Sequence, residues 1–211
     1  MDAHQDRLSN PFNMDEGCTN CEHLPETRTQ VVHGYGDVGA EFLVVGDAPS
    51  EAADRTGVPF TGDADGERLQ RVLGELGFSR SQPTSLEPDL QNVFLTYLTR
   101  CRHPDRGPTD GEILHCDPFL TAEIRMINPH LIVPVGQRAL ETLAVEYTTR
   151  APESFDIERD HATTIRGRGF ELVPMRALDD QTDADTEAFV DHIRQNVFGR
   201  DYRQTKGRRS R

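Results

Sequence analysis

A short apolar run, Phe42-Leu43-Val44-Val45, ends on Gly46 and opens into a long polar loop carrying Gly57, Pro59, Phe60, Gly62 and Gly66. Four consecutive apolar residues with β-branching, closed by a glycine, read as a strand buried on both faces. Strands of that kind belong to parallel sheets covered by helices on each side. The loop from Asp47 onward shows neither helical nor strand periodicity until a helix begins near Glu67. A Gly/Pro-punctuated loop at the C-terminal end of a buried strand is where open α/β sheets place their ligands.

The rest of the chain repeats the same alternation. Residues 1–16 read as a loose or helical arm, and Val31–Gly36 as a strand and turn leading to the central strand. Leu69, Val72, Leu73 and Leu76 lie at helical spacing, which predicts a helix over about 66–76 closed by Gly77. A second buried strand covers 92–98. Thr109 and Glu112 then form a capping box for a helix through Ile127. A third strand spans 130–135, with a helix over 137–144 behind it. A fourth strand covers 170–174, and a last helix runs from about 185 to 197. The fold expected is α/β: a three-layer α/β/α sandwich around a central, mainly parallel four-stranded sheet. With no internal repeat and no long linker, residues 1–198 read as one domain and 199–211 as a tail.

Composition narrows the setting. Asp and Glu number 36 against 23 Lys and Arg, a formal net charge of −13, and Lys206 is the single lysine. An acidic surface almost free of lysine suits concentrated salt, so a halophilic source is inferred. Strong acidity argues against a nucleic-acid partner, although salt at that level screens the field within a few ångströms. No apolar run approaches the ~20 residues that span a bilayer. The polar start, MDAHQDRLSN, is no secretory signal, so a cytoplasmic location and no membrane partner are expected. Six basic residues are concentrated in 199–211, which reads as a flexible arm for phosphate contact.

All four cysteines fit one ligand pattern: Cys18-x2-Cys21, then Cys101 and Cys116. Disulfides are not expected in the cytoplasm, whereas a Cys-x2-Cys knuckle lets two thiolates face one metal centre. Spacing alone leaves zinc and an iron–sulfur cluster both open.

Gly46, Asp47, Ala48, Pro49 and Ser50, followed by Asp54, Gly57, Pro59, Phe60 and Gly62, closely resemble the first motif of family-4-type uracil-DNA glycosylases. Asp47 and Ser50 stand where Glu and Gly are usual. Thr96 to Cys101, with Arg102, Pro104, Pro108, Thr109, Glu112, Ile113 and Cys116, resembles the family's second conserved region. The likeness spans about 18–198 and is strongest over 41–69 and 91–145. It implies a structural [4Fe–4S] cluster on Cys18, Cys21, Cys101 and Cys116. It also implies DNA containing uracil or a related damaged base as partner; a monomer is expected. Phe60 would stack on the flipped base, and Gly46, Asp47 and Ala48 would line the pocket. Two positions break the pattern. Tyr97 replaces an Asn that reads the uracil edge, and a phenol cannot offer an amide donor and acceptor together. The family's late His-Pro pair is missing: Val173-Pro174 runs into Met175-Arg176-Ala177, where Arg176 supplies charge near the same place. His161 reads as an exposed loop residue, and His103 and His115 as neighbours of the cysteines or surface residues. The expected activity is hydrolysis of the N-glycosidic bond of uracil in DNA during base-excision repair, with Asp47 and Arg176 as catalytic groups and Phe60 and Tyr97 in a rebuilt pocket. The competing expectation is an impaired or differently specific member that binds DNA or another damaged base.

Overall fold

The computed structural model describes residues 6–198, so the basic stretch 199–211 lies outside the described residues. The strands are β1 (Tyr35–Gly36), β2 (Phe42–Gly46), β3 (Val93–Tyr97), β4 (Leu131–Pro134), β5 (Ile165–Arg166) and β6 (Glu171–Leu172). The helices are α1 (Leu24–Thr27), α2 (Glu51–Thr56), α3 (Ala64–Glu75), α4 (Asp110–Ile127), α5 (Gln137–Tyr147), α6 (Ile157–Asp160) and α7 (Asp183–His192). A π-helical turn, Ile193–Val197, extends α7.

Among the described residues the strands form one six-stranded sheet in the order β1-β3-β2-β4-β6-β5. The four inner strands are parallel, with β2 beside both β3 and β4. The two outer strands, β1 and β5, run antiparallel. The four strands read from the sequence are therefore the parallel core. The edges add β1, the end of the strand and turn expected over 31–36, and β5, whose two residues are too few to show any period of their own.

Because successive side chains on a strand point to opposite faces, β2 divides its apolar run between two cores. Phe42 and Val44 join Val93, Leu95, Leu131 and Val133 on the face covered by α3 and α7, where Leu69, Val72, Leu73, Phe189 and Val190 meet them. Leu43 and Val45 join Phe94 and Ile132 on the face covered by α4 and α5, against Leu120, Ile124, Leu140 and Leu143. Each large side chain buried this way contributes roughly 1.5–3 kcal/mol, and that two-sided burial fixes the three layers.

Capping places the helix ends. Thr109 and Glu112 form the capping box of α4, and Thr182 with Asp185 builds a second one on α7. The loop after β2 differs from the reading above, because Glu51–Thr56 is helical. Ser50 Oγ accepts the Ala53 amide at its start, and Gly57, at φ +77°, ends it in the left-handed region. Six residues are too few for a helical period to show, so only the caps carry the signal. A Cβ at Gly57 would stand 2.7 Å from Gln30 Oε1. Gln30 Nε2 in turn donates to the Asp54 and Arg55 carbonyls at the end of α2. Asp54 is buried, and its Oδ2 accepts the Thr29 amide at 2.8 Å. The strand and turn expected over 31–36 shortens to β1, and the first arm residues described are turns rather than helix, with Ser9 bridging Tyr35.

Candidate functional site

The C-terminal ends of β2, β3 and β4 converge where Gly46 pairs with Tyr97. Gly46 is required there by proximity: a Cβ would lie 2.8 Å from Phe60 Cζ and 3.0 Å from Tyr97 Cδ1. The Phe60 and Tyr97 rings meet at 4.6 Å between centroids with a 34° interplanar angle. The Phe60 amide donates to Tyr97 Oη at 2.8 Å. Phe60 is 7% exposed and Tyr97 3%. Phe60 holds φ at +55°, an uncommon conformation for a side chain of its size. Its surroundings maintain that conformation: the Tyr97 hydroxyl takes its N–H, and the Gln70 side chain reaches its carbonyl at 3.5 Å. Burial holds the Tyr97 phenol well above its ordinary range, so it remains protonated and keeps one O–H to donate.

Asp47 follows Gly46 at the mouth of the loop, and its carbonyl anchors the chain after β3 by accepting the Thr99 amide at 3.1 Å. Burial raises its carboxyl to about 6, while the Ala139 amide and the Arg138 guanidinium pull in the opposite direction. The Ala139 amide belongs to the first turn of α5, whose N-terminus follows Gly136 at φ +90°. Asp47 Oδ1 is buried without a hydrogen-bond partner among the described residues. A carboxylate accepting at a helix N-terminus is favoured by the orphan amides and the helix dipole there. One oxygen is held in this way and the other is left unsatisfied, an arrangement suited to orienting a water or a cationic sugar.

Arg176 follows the short parallel bridge of Met175 to Val135, which carries the β6 chain three residues beyond its ladder. The adjoining Ala177 Cβ would lie 3.8 Å from a Cβ built on Gly136. The Arg176 guanidinium is paired at 2.7 Å with Glu158 and at 3.4 Å with Asp185, and its Nε is buried without a partner. Its backbone amide donates to His161 Nδ1 at 3.0 Å, and His161 Nε2 lies 2.9 Å from the Asp185 carbonyl. His161 is thus no exposed loop residue. It is half-buried and holds the Arg176 segment to α7 through both ring nitrogens. That role was unreadable because the three elements it joins are distant in sequence. His103 Nδ1 accepts the Asp105 amide, and His115 is exposed.

Cys18, Cys21, Cys101 and Cys116 are all buried and free. The first three share an apolar cluster with Leu24 and Val31, and a hydrogen bond links Cys21 to Cys116. Burial, then the neighbouring thiols, push Cys21 up to about 12. Arg28 Nη1 reaches Cys101 Sγ at 3.2 Å and opposes the upward push of burial on that thiol. Among the described residues no group of three or more His, Cys, Asp or Glu side chains stands in ligating geometry. The other three thiols all act on Cys21, so the four are gathered in one region.

A buried ion pair that sequence reasoning missed joins this region to the end of β3. Arg100 and Glu123 are each 1% exposed and meet at 2.7 Å. Arg100 also donates to the Tyr97 carbonyl, and Thr96 Oγ1 donates to Glu123 at 2.7 Å. Burial raises the Glu123 carboxyl, while Arg100, Thr96 and the Gly34 amide hold it down.

A model of the uracil DNA glycosylase superfamily matches residues 33–192. The chain is 39% identical over 128 residues to the type-4 uracil-DNA glycosylase of Saccharolobus solfataricus, covering 60% of this chain and 54% of that protein. It is 30% identical over 156 residues to the type-4 enzyme of Archaeoglobus fulgidus, covering 74% and 68%. It is 39% identical over 124 residues to the type-5 uracil-DNA glycosylase of Thermus thermophilus, covering 56% of each chain. The match thus spans little more than half the length of two of these three relatives. The family match over 33–192 includes the loop after β2, the segment after β3 and the segment that carries Arg176, and the chain belongs to the uracil-DNA glycosylase superfamily.

Proposed function

We propose that this protein hydrolyses the N-glycosidic bond of uracil in DNA during base-excision repair, acting as a monomer in the cytoplasm. The observation that carries the reading is the half-buried Asp47 carboxylate at the C-terminal end of β2, with one oxygen unsatisfied and the α5 amides beside it. Uracil has to leave the base stack to be cut, and a tight aromatic slot receives it. Bond breakage leaves positive charge on the sugar and negative charge on the base. Asp47, ionised above about pH 6, stabilises the sugar cation and takes a proton from the water that attacks C1′. The departing base carries the glycosidic electron pair and is protonated on release. Arg176 is assigned to the negative charge; its unpaired Nε–H is the donor least committed to Glu158 and Asp185. Phe60 supplies the stacking face, and Gly46 and Ala48 the close backbone wall.

Cys18, Cys21, Cys101 and Cys116 would hold a [4Fe–4S] cluster. Four buried thiols and the Arg28 donor at Cys101 Sγ fit a thiolate-bound centre, because a metal stabilises sulfur anions that burial alone resists. Such a centre would bind the N-terminal knuckle to the loop after β3 and takes no part in hydrolysis. Among the described residues no helix is long and apolar enough to cross a membrane. Single-stranded DNA carrying one deoxyuridine, incubated with excess protein at low and at molar potassium chloride, tests the reading. Free uracil and an abasic strand are expected, and an intact strand after prolonged incubation would refute it.

A further inference from the structure

Resting on the reading of Phe60 as the base-stacking face, we propose that Tyr97 is a built-in plug of the base slot: its ring lies on Phe60, its hydroxyl takes the Phe60 amide, and a flipped base binds only once that side chain has swung aside. Three observations on this chain converge. The 4.6 Å separation leaves no room for a second ring between Phe60 and Tyr97. Phe60 is almost wholly covered, so no open face awaits a base. The Phe60 N–H, which lies outside any ladder, is satisfied by the Tyr97 oxygen at 2.8 Å. That oxygen stands where a carbonyl of a planar heterocycle would stand if the heterocycle replaced the phenol.

The plug sets a selectivity as well as a threshold. Affinity for any base is reduced by the fraction of molecules in which Tyr97 is displaced. A ligand recovers that loss only if it both stacks on Phe60 and returns an acceptor to the Phe60 amide. Uracil, with two carbonyls and no bulky substituent, meets both conditions. A base presenting an amino group to the amide leaves a buried donor unpaired, which is strongly unfavourable.

The test uses the full-length protein with Tyr97→Ala and Tyr97→Phe variants, titrated with free uracil by calorimetry and assayed on deoxyuridine-containing single strands. Removing the ring should tighten uracil binding at least about ten-fold and raise the single-turnover excision rate. Tyr97→Phe keeps the ring while unpairing the Phe60 amide, so its gain should be smaller than that of Tyr97→Ala. A further readout needs no destabilising change. In wild-type protein labelled with 3-fluorotyrosine, the Tyr97 fluorine signal, assigned by its loss in Tyr97→Phe, should shift when a non-cleavable 2′-fluoro-deoxyuridine strand saturates the protein. Excision by the wild type with an unmoved Tyr97 signal overturns the plug and leaves the proposed activity standing. No binding and no excision by the wild type or by a folded Tyr97→Ala protein overturns both.

Discussion

Replacing Asp47 by Asn should make the protein more stable and less active, by amounts that depend on pH. The ordinary carboxyl value of 3.8 is raised to about 6 in the folded chain, chiefly by burial. Each unit is worth about 1.36 kcal/mol, so holding the ionised carboxylate in place costs at most about 3 kcal/mol. Partial solvent access reduces that to roughly 1–3 kcal/mol. The sign follows from proton counting. Between pH 3.8 and about 6 the folded chain holds more protons at this site than the unfolded chain, so stability falls as pH rises through that window. Above it the penalty is fully present, and below 3.8 it vanishes. Asn carries no charge and can still accept the Ala139 amide. At pH 8 the variant should therefore melt about 3–10 °C higher than the parent, taking roughly 2–4 °C per kcal/mol for a chain of this size. At pH 4 the two melting curves should nearly coincide. Uracil release by the variant should drop about 10²- to 10⁴-fold with the loss of the proton acceptor, while in the parent it rises with pH through about 6. Melting curves at pH 4, 6 and 8 at one ionic strength, with excision measured in parallel, decide the matter. A variant less stable than the parent at pH 8, or one offset at all three pH values, would show that desolvation does not govern Asp47.

Arg100→Met should destabilise the fold by about 3–5 kcal/mol in urea titration, since it strands the Glu123 carboxylate in the interior, and adding Glu123→Gln should recover part of the loss. Phe60→Ala should weaken binding of a uracil-containing strand by roughly 1–3 kcal/mol, the worth of one base–aromatic stack. Unchanged affinity in the folded variant would assign Phe60 to the core alone. Protein purified without oxygen should be brown and carry about four irons per chain by elemental analysis, and serine at Cys18, Cys21, Cys101 or Cys116 should remove the colour. Stoichiometric zinc without visible absorption would contradict the cluster. Ser50→Ala should cost about 1 kcal/mol in thermal melts through loss of the α2 cap.

The features legible in the sequence were those with a local cause. The apolar run of β2, the capping box of Thr109 and Glu112 and the spacing of Leu69, Val72 and Leu73 each arise from neighbours within a turn or a strand, and each lies where expected. Elements with little length left little trace: α2 is set by Ser50 and Gly57 rather than by a period, and β5 by pairing alone. Contacts between segments remote in the chain were out of reach. Nothing near Tyr97 announces that its hydroxyl meets the Phe60 amide, and nothing near Arg100 announces Glu123. The departures from the family pattern, Tyr97 and Arg176, were visible as substitutions, but their consequences emerged only from what each side chain touches.

The strand order also dictates when the site can exist. Phe42 of β2 pairs with Val93 and with Leu131, partners roughly 50 and 90 residues further along the chain. Parallel pairing over such intervals is slow, because the intervening chain must be closed into loops before any contact repays the lost freedom. A nascent chain halted before β4 would hold β2 paired on one side only, with an unpaired apolar edge open to other chains. Asp47 is synthesised early yet acquires the Ala139 amide only after α5 has followed β4 into place. The proposed catalytic end of this sheet is therefore completed late in folding, and mutations that slow the docking of β4 should show first as aggregation during synthesis.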